Sequence, residues 1–222
     1  MLLAAGRGER MRPLTDATPK ALLEAGGKPL VVRLIERLAA EGFAELVVNH
    51  AHLGAMIEAA LGDGSRFGVR IRYSPERDAL ETAGGIANAL AVLGSAPFLV
   101  VNADLHSDYP FGRLRSAPGA DAHAHLVLVD NPPHHPAGDF ALAGNRVAND
   151  GAAKLTFSGI GVYRPTLFRD VAPGTRAALG PLLRAAAADG RVTAERYAGR
   201  WVDVGTPERL ARLDAELRRA AR

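Results

Sequence analysis

Glycines and basic side chains crowd the stretch Ala4-Ala5-Gly6-Arg7-Gly8-Glu9-Arg10-Met11-Arg12-Pro13-Leu14-Thr15, and Thr18-Pro19-Lys20 follows shortly after. A glycine-rich loop leaving a buried strand lets backbone N–H groups close on phosphate oxygens with no side chain in the way. Ala4, Ala5, Gly6 and Gly8 are the candidate backbone contacts, and Arg10 and Lys20 bring positive charge to where a triphosphate would lie. The pattern is not a Walker A loop, which needs Gly-Lys followed by Thr or Ser, and its glycine spacing is not that of the dinucleotide fingerprint. Of the 27 basic residues only Lys20, Lys28 and Lys154 are lysine, so a lysine in this loop stands out. An ammonium is a compact point charge and a guanidinium a broad planar fork, which gives a crowded phosphate site a reason to require lysine.

Two aspartates sit where a metal would be wanted. Asp104 follows the apolar run Pro97 to Val101 through Asn102 and Ala103, and Asp203 follows Trp201-Val202 just ahead of Gly205. Ligands of open α/β sheets bind beyond the carboxyl ends of the strands. Mg²⁺ takes a few carboxylates together with phosphates and water, so Asp104 and Asp203 meeting at a triphosphate would form a magnesium site. The adjacent His134 and His135 lie in a proline-rich loop with no carboxylate at metal-ligand spacing, and are expected to be solvent-exposed and not ligands. His50, His52, His123 and His125 fall near strand ends and read as structural.

The elements that must position these groups alternate between strand and helix over the first two thirds of the chain, which predicts an α/β fold with a largely parallel sheet. Leu2 to Ala5 reads as a short buried strand, Gly6 to Lys28 as a loop, and Pro29 as the start of a helix closed by Gly42. Glu45–Asn49, Val69–Tyr73 and Pro97–Val101 read as strands, with helices over His52–Leu61 and Thr82–Leu93 between them. Beyond this the pattern changes to short strands: His125–Val129, a hairpin over Asp139–Val147 turning at Gly144-Asn145, Ser158–Tyr163, Val192–Tyr197 and Trp201–Val204. A last amphipathic helix starts at Thr206 as N-cap, with Pro207 behind it, and reads as packing.

The loop signature Gly-x-Gly-x-Arg, Pro-Leu-Thr and Pro-Lys resembles that of the sugar-1-phosphate nucleotidylyltransferases. The likeness extends through Leu80-Glu81-Thr82-Ala83-Gly84-Gly85-Ile86, Leu126-Val127-Leu128-Val129-Asp130-Asn131-Pro132, Phe157-Ser158-Gly159-Ile160 and Trp201-Val202-Asp203-Val204-Gly205-Thr206. These segments are most similar to the subgroup of N-acetylmuramate α-1-phosphate uridylyltransferases of cell-wall recycling. The resemblance implies a Rossmann-like, mixed and mainly parallel sheet flanked by helices, in a single domain over residues 1–222, with a small acceptor-sugar lobe built from Leu126 to Tyr163. It implies Mg²⁺ on Asp104 and Asp203, catalytic roles for Arg10, Lys20 and Asp104, and sugar contacts from Asp130, Asp139, Ser158 and Gly159. The nucleobase is expected against the turn Leu80 to Gly85, contacted by Glu81, Thr82 and Gly84. Glu81 stands where much of the wider family has glycine and the subgroup has glutamate. As an acceptor it suits uracil N3–H or guanine N1–H, so chemistry alone leaves the base open. Within the subgroup reading, Arg146 or His135 is expected near the lactyl carboxylate of the acceptor. Ala103 and Ala83 replace glycines common in the family and subgroup, where a methyl group is expected to crowd the nucleotide slightly; the family's first strand is longer, so some loss of stability is expected.

Composition narrows the classes further. The 222 residues, 48% of them apolar, suffice for one substantial core, and without cysteine there is neither a disulfide framework nor a thiolate zinc site. A net charge of +3 with acidic residues interspersed, and no basic stripe with aromatics, argues against nucleic acid as partner and suits small anionic substrates. With no long apolar run and no signal-peptide core, a cytoplasmic enzyme of nucleoside triphosphate and sugar 1-phosphate is expected, bound to no membrane. Rival readings are a guanylyl- or thymidylyltransferase acting on mannose, heptose or glucose 1-phosphate, and a nucleotide-sugar-binding domain without turnover.

Overall fold

A computed structural model describes residues 1–220. The first strand, β1 (Leu2–Leu3), opens into the phosphate-loop region, which contains a two-stranded hairpin, β2 (Glu24–Ala25) and β3 (Lys28–Pro29). The sequence shows this region only as a loop, because two-residue strands leave no periodicity. Helix α1 (Leu30–Ala40) follows, with Pro29 as its N-cap residue and not its first helical one. Then come β4 (Glu45–His50), α2 (Gly54–Leu61), β5 (Arg70–Pro75), α3 (Glu81–Leu93), β6 (Phe98–Asn102) and β7 (Leu105–Ser107). The remainder is β8 (Ala124–Val129), β9 (Phe140–Ala143), β10 (Arg146–Ala148), β11 (Lys154–Tyr163), α4 (Leu179–Ala188), β12 (Val192–Tyr197), β13 (Trp201–Asp203) and α5 (Pro207–Ala220).

One nine-stranded sheet runs through the molecule in the order β5-β4-β1-β6-β11-β8-β12-β10-β9. Its N-terminal side, β5-β4-β1-β6, is parallel, with Leu2 opposite Val48 and Val101. From β6 onward the neighbours are antiparallel except for β8 with β12. The region expected as a small acceptor lobe is therefore mostly the second half of this sheet: β8 and β11 are central strands, and β9, β10 and the loop before them form its far edge. Period-two alternation divides the core between the two faces. Val47, Leu126 and Leu128 face α3 and α4, while Leu46, Val48 and Val127 face the side of α1 and α2. With both faces covered, strands read as continuous apolar runs. The stripe of α1, Leu30, Val31, Leu34, Ile35 and Leu38, is buried at 5% exposure or less, and each such side chain contributes about 1.5–3 kcal/mol by leaving water.

A third, smaller cluster bears directly on the site. Met11 from the phosphate loop, Leu23, Ala25, Leu30, Val204 and Leu213 pack together, so α5 and the end of β13 clamp the loop from below. Asp214 of α5 accepts the Gly26 N–H at 2.7 Å, and the Thr206 hydroxyl accepts the Arg209 N–H at the helix start. The terminal helix is thus packing, as its stripe indicates, but it packs on the candidate phosphate loop.

Candidate active site

Because β1 is followed in space by β4 on one side and β6 on the other, the strand order reverses there, and the carboxyl ends of these strands open a crevice. A cavity of about 620 Å³ lies in it, lined by Ala4, Ala5, Gly6, Gly8, Arg10, Lys20, Glu81, Thr82 and Asp104 among others. These are the phosphate-loop, nucleobase and catalytic candidates apart from Gly84 and Asp203, brought together from four separate segments. The loop holds its shape by local bonds: the Gly8 carbonyl accepts the Met11 N–H and the Thr15 hydroxyl, both at 2.8 Å. Gly8 has φ +66°, which favours glycine, and a Cβ there would press on Thr15 and the Lys20 stem. Arg10 lines the cleft and forms no ion pair among the described residues, which leaves its charge for a ligand.

Lys20 Nζ donates to Asp104 Oδ2, so the loop lysine and the first metal candidate form one charge pair at the cleft floor. Asp203 stands beside it: β13 pairs with β7 so that Asp203 faces Leu105, and the Val204 N–H donates to the Asp104 carbonyl at 3.0 Å. Side chains of both aspartates keep about a quarter of their surface exposed. A carboxylate lining the cleft and a second one beside it fit Mg²⁺, which shares its shell with phosphate and water. No group of three or more metal-type ligands gathers anywhere among the described residues, so an all-protein cage of the kind zinc takes is not what this donor set offers.

Four residues of the cleft, Asn49, Glu76, Asn102 and Arg176, were not among the sequence candidates. Asn49 accepts the Ala4 N–H at 2.9 Å and donates to Glu76 Oε1 at 2.7 Å, and the other oxygen of Glu76 accepts the Leu80 N–H at 2.9 Å. This buried chain ties the end of β1 to the nucleobase turn. Arg176 Nε reaches Glu81 Oε1 at 2.8 Å across the cleft mouth. Glu81 has φ +59°, a left-handed conformation that costs a non-glycine residue about 1–2 kcal/mol, which accounts for the glycine common at this position in the wider family. Asn49, Glu76 and Arg176 each bond a partner remote in sequence, and no local pattern marks them or Asn102.

The remaining sequence candidates lie outside this cavity. Gly84 lies within α3 behind the cleft wall: its N–H donates to the Ala177 carbonyl, and a Cβ would overlap the Thr175 carbonyl oxygen, so it serves close packing. Ser158 is 1% exposed and its hydroxyl donates to the Val127 carbonyl. Gly159, at φ +78° in a bulge of β11, backs onto Asn102. Asp130 is ion-paired with Arg196, and Asp139 accepts the Phe157 N–H and meets His135. None of these four sugar-side candidates lines the cavity. Arg146 bonds the Gly190 carbonyl before β12, at the end of the sheet opposite the crevice, too far around to meet an acceptor there. His134 and His135 do have carboxylate partners, Asp203 and Asp139, which folding supplies.

A parallel crevice with a glycine-rich phosphate loop, a lysine–aspartate pair and a second aspartate at its rim defines a nucleotidyl-transferring enzyme. The nucleotidyl transferase family profile matches residues 1–154, and the chain belongs to that family, as a sugar-1-phosphate nucleotidyltransferase. It is 52% identical to the N-acetylmuramate alpha-1-phosphate uridylyltransferase of Neisseria meningitidis serogroup B, over 97% of this chain and 96% of that one. It is 36% identical to the enzyme of the same name from Caulobacter vibrioides, over 99% and 96%. In fold it matches the crystal structure of a putative glucose-1-phosphate thymidylyltransferase from Bacillus anthracis in complex with sucrose. The TM-score is 0.85 at 21% identity, over 98% of this chain and 94% of that one.

Proposed function

We propose that the protein transfers a uridylyl group from UTP to N-acetylmuramic acid 1-phosphate, with Mg²⁺, releasing pyrophosphate in cell-wall sugar recycling. The observation that carries the nucleotidyl-transfer reading is the convergence of the Gly6–Gly8 loop, Arg10, Lys20 and Asp104 on one cleft. Similarity to the two uridylyltransferases along the full chain supports the choice of base and sugar. Use of a nucleoside triphosphate would suit a cytoplasmic reaction; separately, no helix of the described residues is long and apolar enough to cross a membrane.

An oxygen of the sugar phosphate attacks the α-phosphorus, the α–β bond breaks, and pyrophosphate carries away the electron pair. A phosphate monoester is already a competent nucleophile at neutral pH, so no general base is needed. Asp104 and Asp203 would hold the Mg²⁺, which neutralises the triphosphate when bound. Lys20 draws the α-phosphate and the incoming phosphate together, and Arg10 with the loop amides takes the charge that develops on pyrophosphate. Positioning supplies the rest of the acceleration. The test is pyrophosphate release with each nucleoside triphosphate against a panel of sugar 1-phosphates. UTP with N-acetylmuramic acid 1-phosphate is expected to be clearly preferred; equal use of glucose, mannose or heptose 1-phosphate refutes the acceptor while leaving nucleotidyl transfer standing.

A further inference from the structure

Asp203 is not an open carboxylate. Both its oxygens lie against a single nitrogen, Nη1 of Arg209 in the first turn of α5, at 2.5 and 2.6 Å. His134 Nε2 stands 3.2 Å from Asp203 Oδ1 and 2.8 Å from the same arginine nitrogen, so the acceptor-side loop reaches this pair as well. The Arg209 side chain is only 11% exposed. Its guanidinium lies over Gly205, which lines the cleft, and a Cβ at Gly205 would collide with it and come 3.3 Å from Arg10 Nη2. Arg209 is thus built in between the metal carboxylate and the arginine assigned to the phosphates.

A divalent cation of magnesium type bonds a carboxylate oxygen at about 2.0–2.1 Å. Arg209 Nη1 bridges both oxygens of Asp203, and a metal ion and a guanidinium nitrogen cannot occupy that position together. We propose that Arg209 is a displaceable counter-ion of Asp203: it competes with the divalent cation for this carboxylate and leaves it for phosphate oxygens beside Arg10 when metal and nucleotide enter. The inference rests on the metal role of Asp203 given above. Gly205 makes the exchange feasible, since the absence of a side chain there gives the guanidinium a path across the strand end toward the cleft. His134 then keeps a contact with Asp203 while the arginine moves.

Mn²⁺ binding to the nucleotide-free protein, followed by electron paramagnetic resonance of the free ion, tests this without turnover. Arg209→Gln removes the competing charge and is expected to tighten Mn²⁺ binding about fivefold or more, the scale of a modest coupling between sites. Arg209→Lys keeps the charge and is expected to stay near the wild type. In the wild type, the side-chain Nε–H resonance of Arg209, assigned by its loss in Arg209→Lys, is expected to shift on titration with Mg²⁺. A folded Arg209→Gln protein that binds Mn²⁺ no more tightly, or an Arg209 resonance indifferent to Mg²⁺, overturns the proposal. Asp203→Asn separates the two layers of the argument. If it weakens Mn²⁺ binding while Arg209→Gln changes nothing, only the counter-ion idea falls. If it leaves Mn²⁺ binding intact, the metal role of Asp203 falls and the proposal with it.

Discussion

Lys20 and Asp104 form an ion pair in the cleft on which the proposed chemistry turns, and each has a test of its own. The Lys20 stem runs close against Gly8, where even a methyl group would lie 3.2 Å from Lys20 Cβ, so the side chain has little lateral freedom. A guanidinium, planar and wider, has to displace either Asp104 or the phosphates. Lys20→Arg is therefore expected to lose nearly as much turnover as Lys20→Ala, about 10²-fold in each. Steady-state rates at saturating substrate check this, and full activity in the arginine variant would show that Lys20 supplies only diffuse charge. Asp104→Asn removes a carboxylate proposed to hold the metal and leaves Lys20 without its ionic partner. It is expected to keep the fold and lower turnover by about 10²-fold or more. Near-normal rates at limiting magnesium, in a protein of unchanged circular dichroism, would rule out the metal assignment for Asp104. Both residues were legible in the sequence because each carries a local signal: a rare lysine within a glycine loop, and an acid where an apolar strand stops.

At the scale of elements, the site depends on how α3 packs against β4 and β5. Gly85 lets the helix approach so closely that a Cβ would stand 2.6 Å from Glu76 Oε1 and 2.8 Å from Asn49 Nδ2. These are the two side chains that link the β1 end to the nucleobase turn. Gly85→Ala is thus expected to cost about 1–3 kcal/mol by overpacking. It is also expected to raise the KM for the nucleotide, since the displaced bond network holds the Ala4 amide and the Leu80 turn. Urea denaturation and initial-rate kinetics measure the two effects, and an alanine variant with wild-type stability would mean that the close approach relaxes freely. In the sequence, the paired glycines of α3 read as ligand contacts, whereas Gly84 packs against the Ala177 carbonyl and Gly85 against Glu76. What the sequence does not display is the partner surface: Asn49 and Glu76 lie 27 residues apart and meet only through the pairing of β4 with β5. Ser158 and Gly159 stay outside the cavity for the same reason, because they belong to a bulged central strand whose neighbours decide which way they face.

The whole molecule shows the same division. Strand–helix alternation made the parallel half of the sheet legible, and the burial of both faces explains the continuous apolar strands of that half. Its continuation was harder to read: β11 crosses the sheet between β6 and β8, and β12 joins β8 in parallel, pairings that depend on contacts with no periodic signature. A property spread over several strands yields a prediction for the protein as a whole. His106 on β7 is held neutral, its pKa lowered to about 4, first by burial and then by Arg200, Arg33 and Arg37, with Asp108 opposing. His125 is lowered too, by burial against the opposing charge of Glu195, and His123 by burial and then by Arg191, Arg169 and Arg164, with Asp189 opposing. In the unfolded chain these imidazoles protonate at the ordinary value near 6.5. Below that pH the unfolded state binds more protons than the folded one, so folding stability falls as pH drops from about 6.5 toward 4. Above 6.5 both states are neutral at these positions and the effect vanishes. Calorimetry across pH 4.5–7.5 is expected to show Tm declining on the acid side, with a shallower decline in His106→Gln, where the largest of the three shifts is removed. A Tm that stays level between pH 6.5 and 5, or a His106→Gln slope equal to that of the wild type, would mean that these histidines take up protons in the folded state, with the arginines around His106 moving aside to admit the charge.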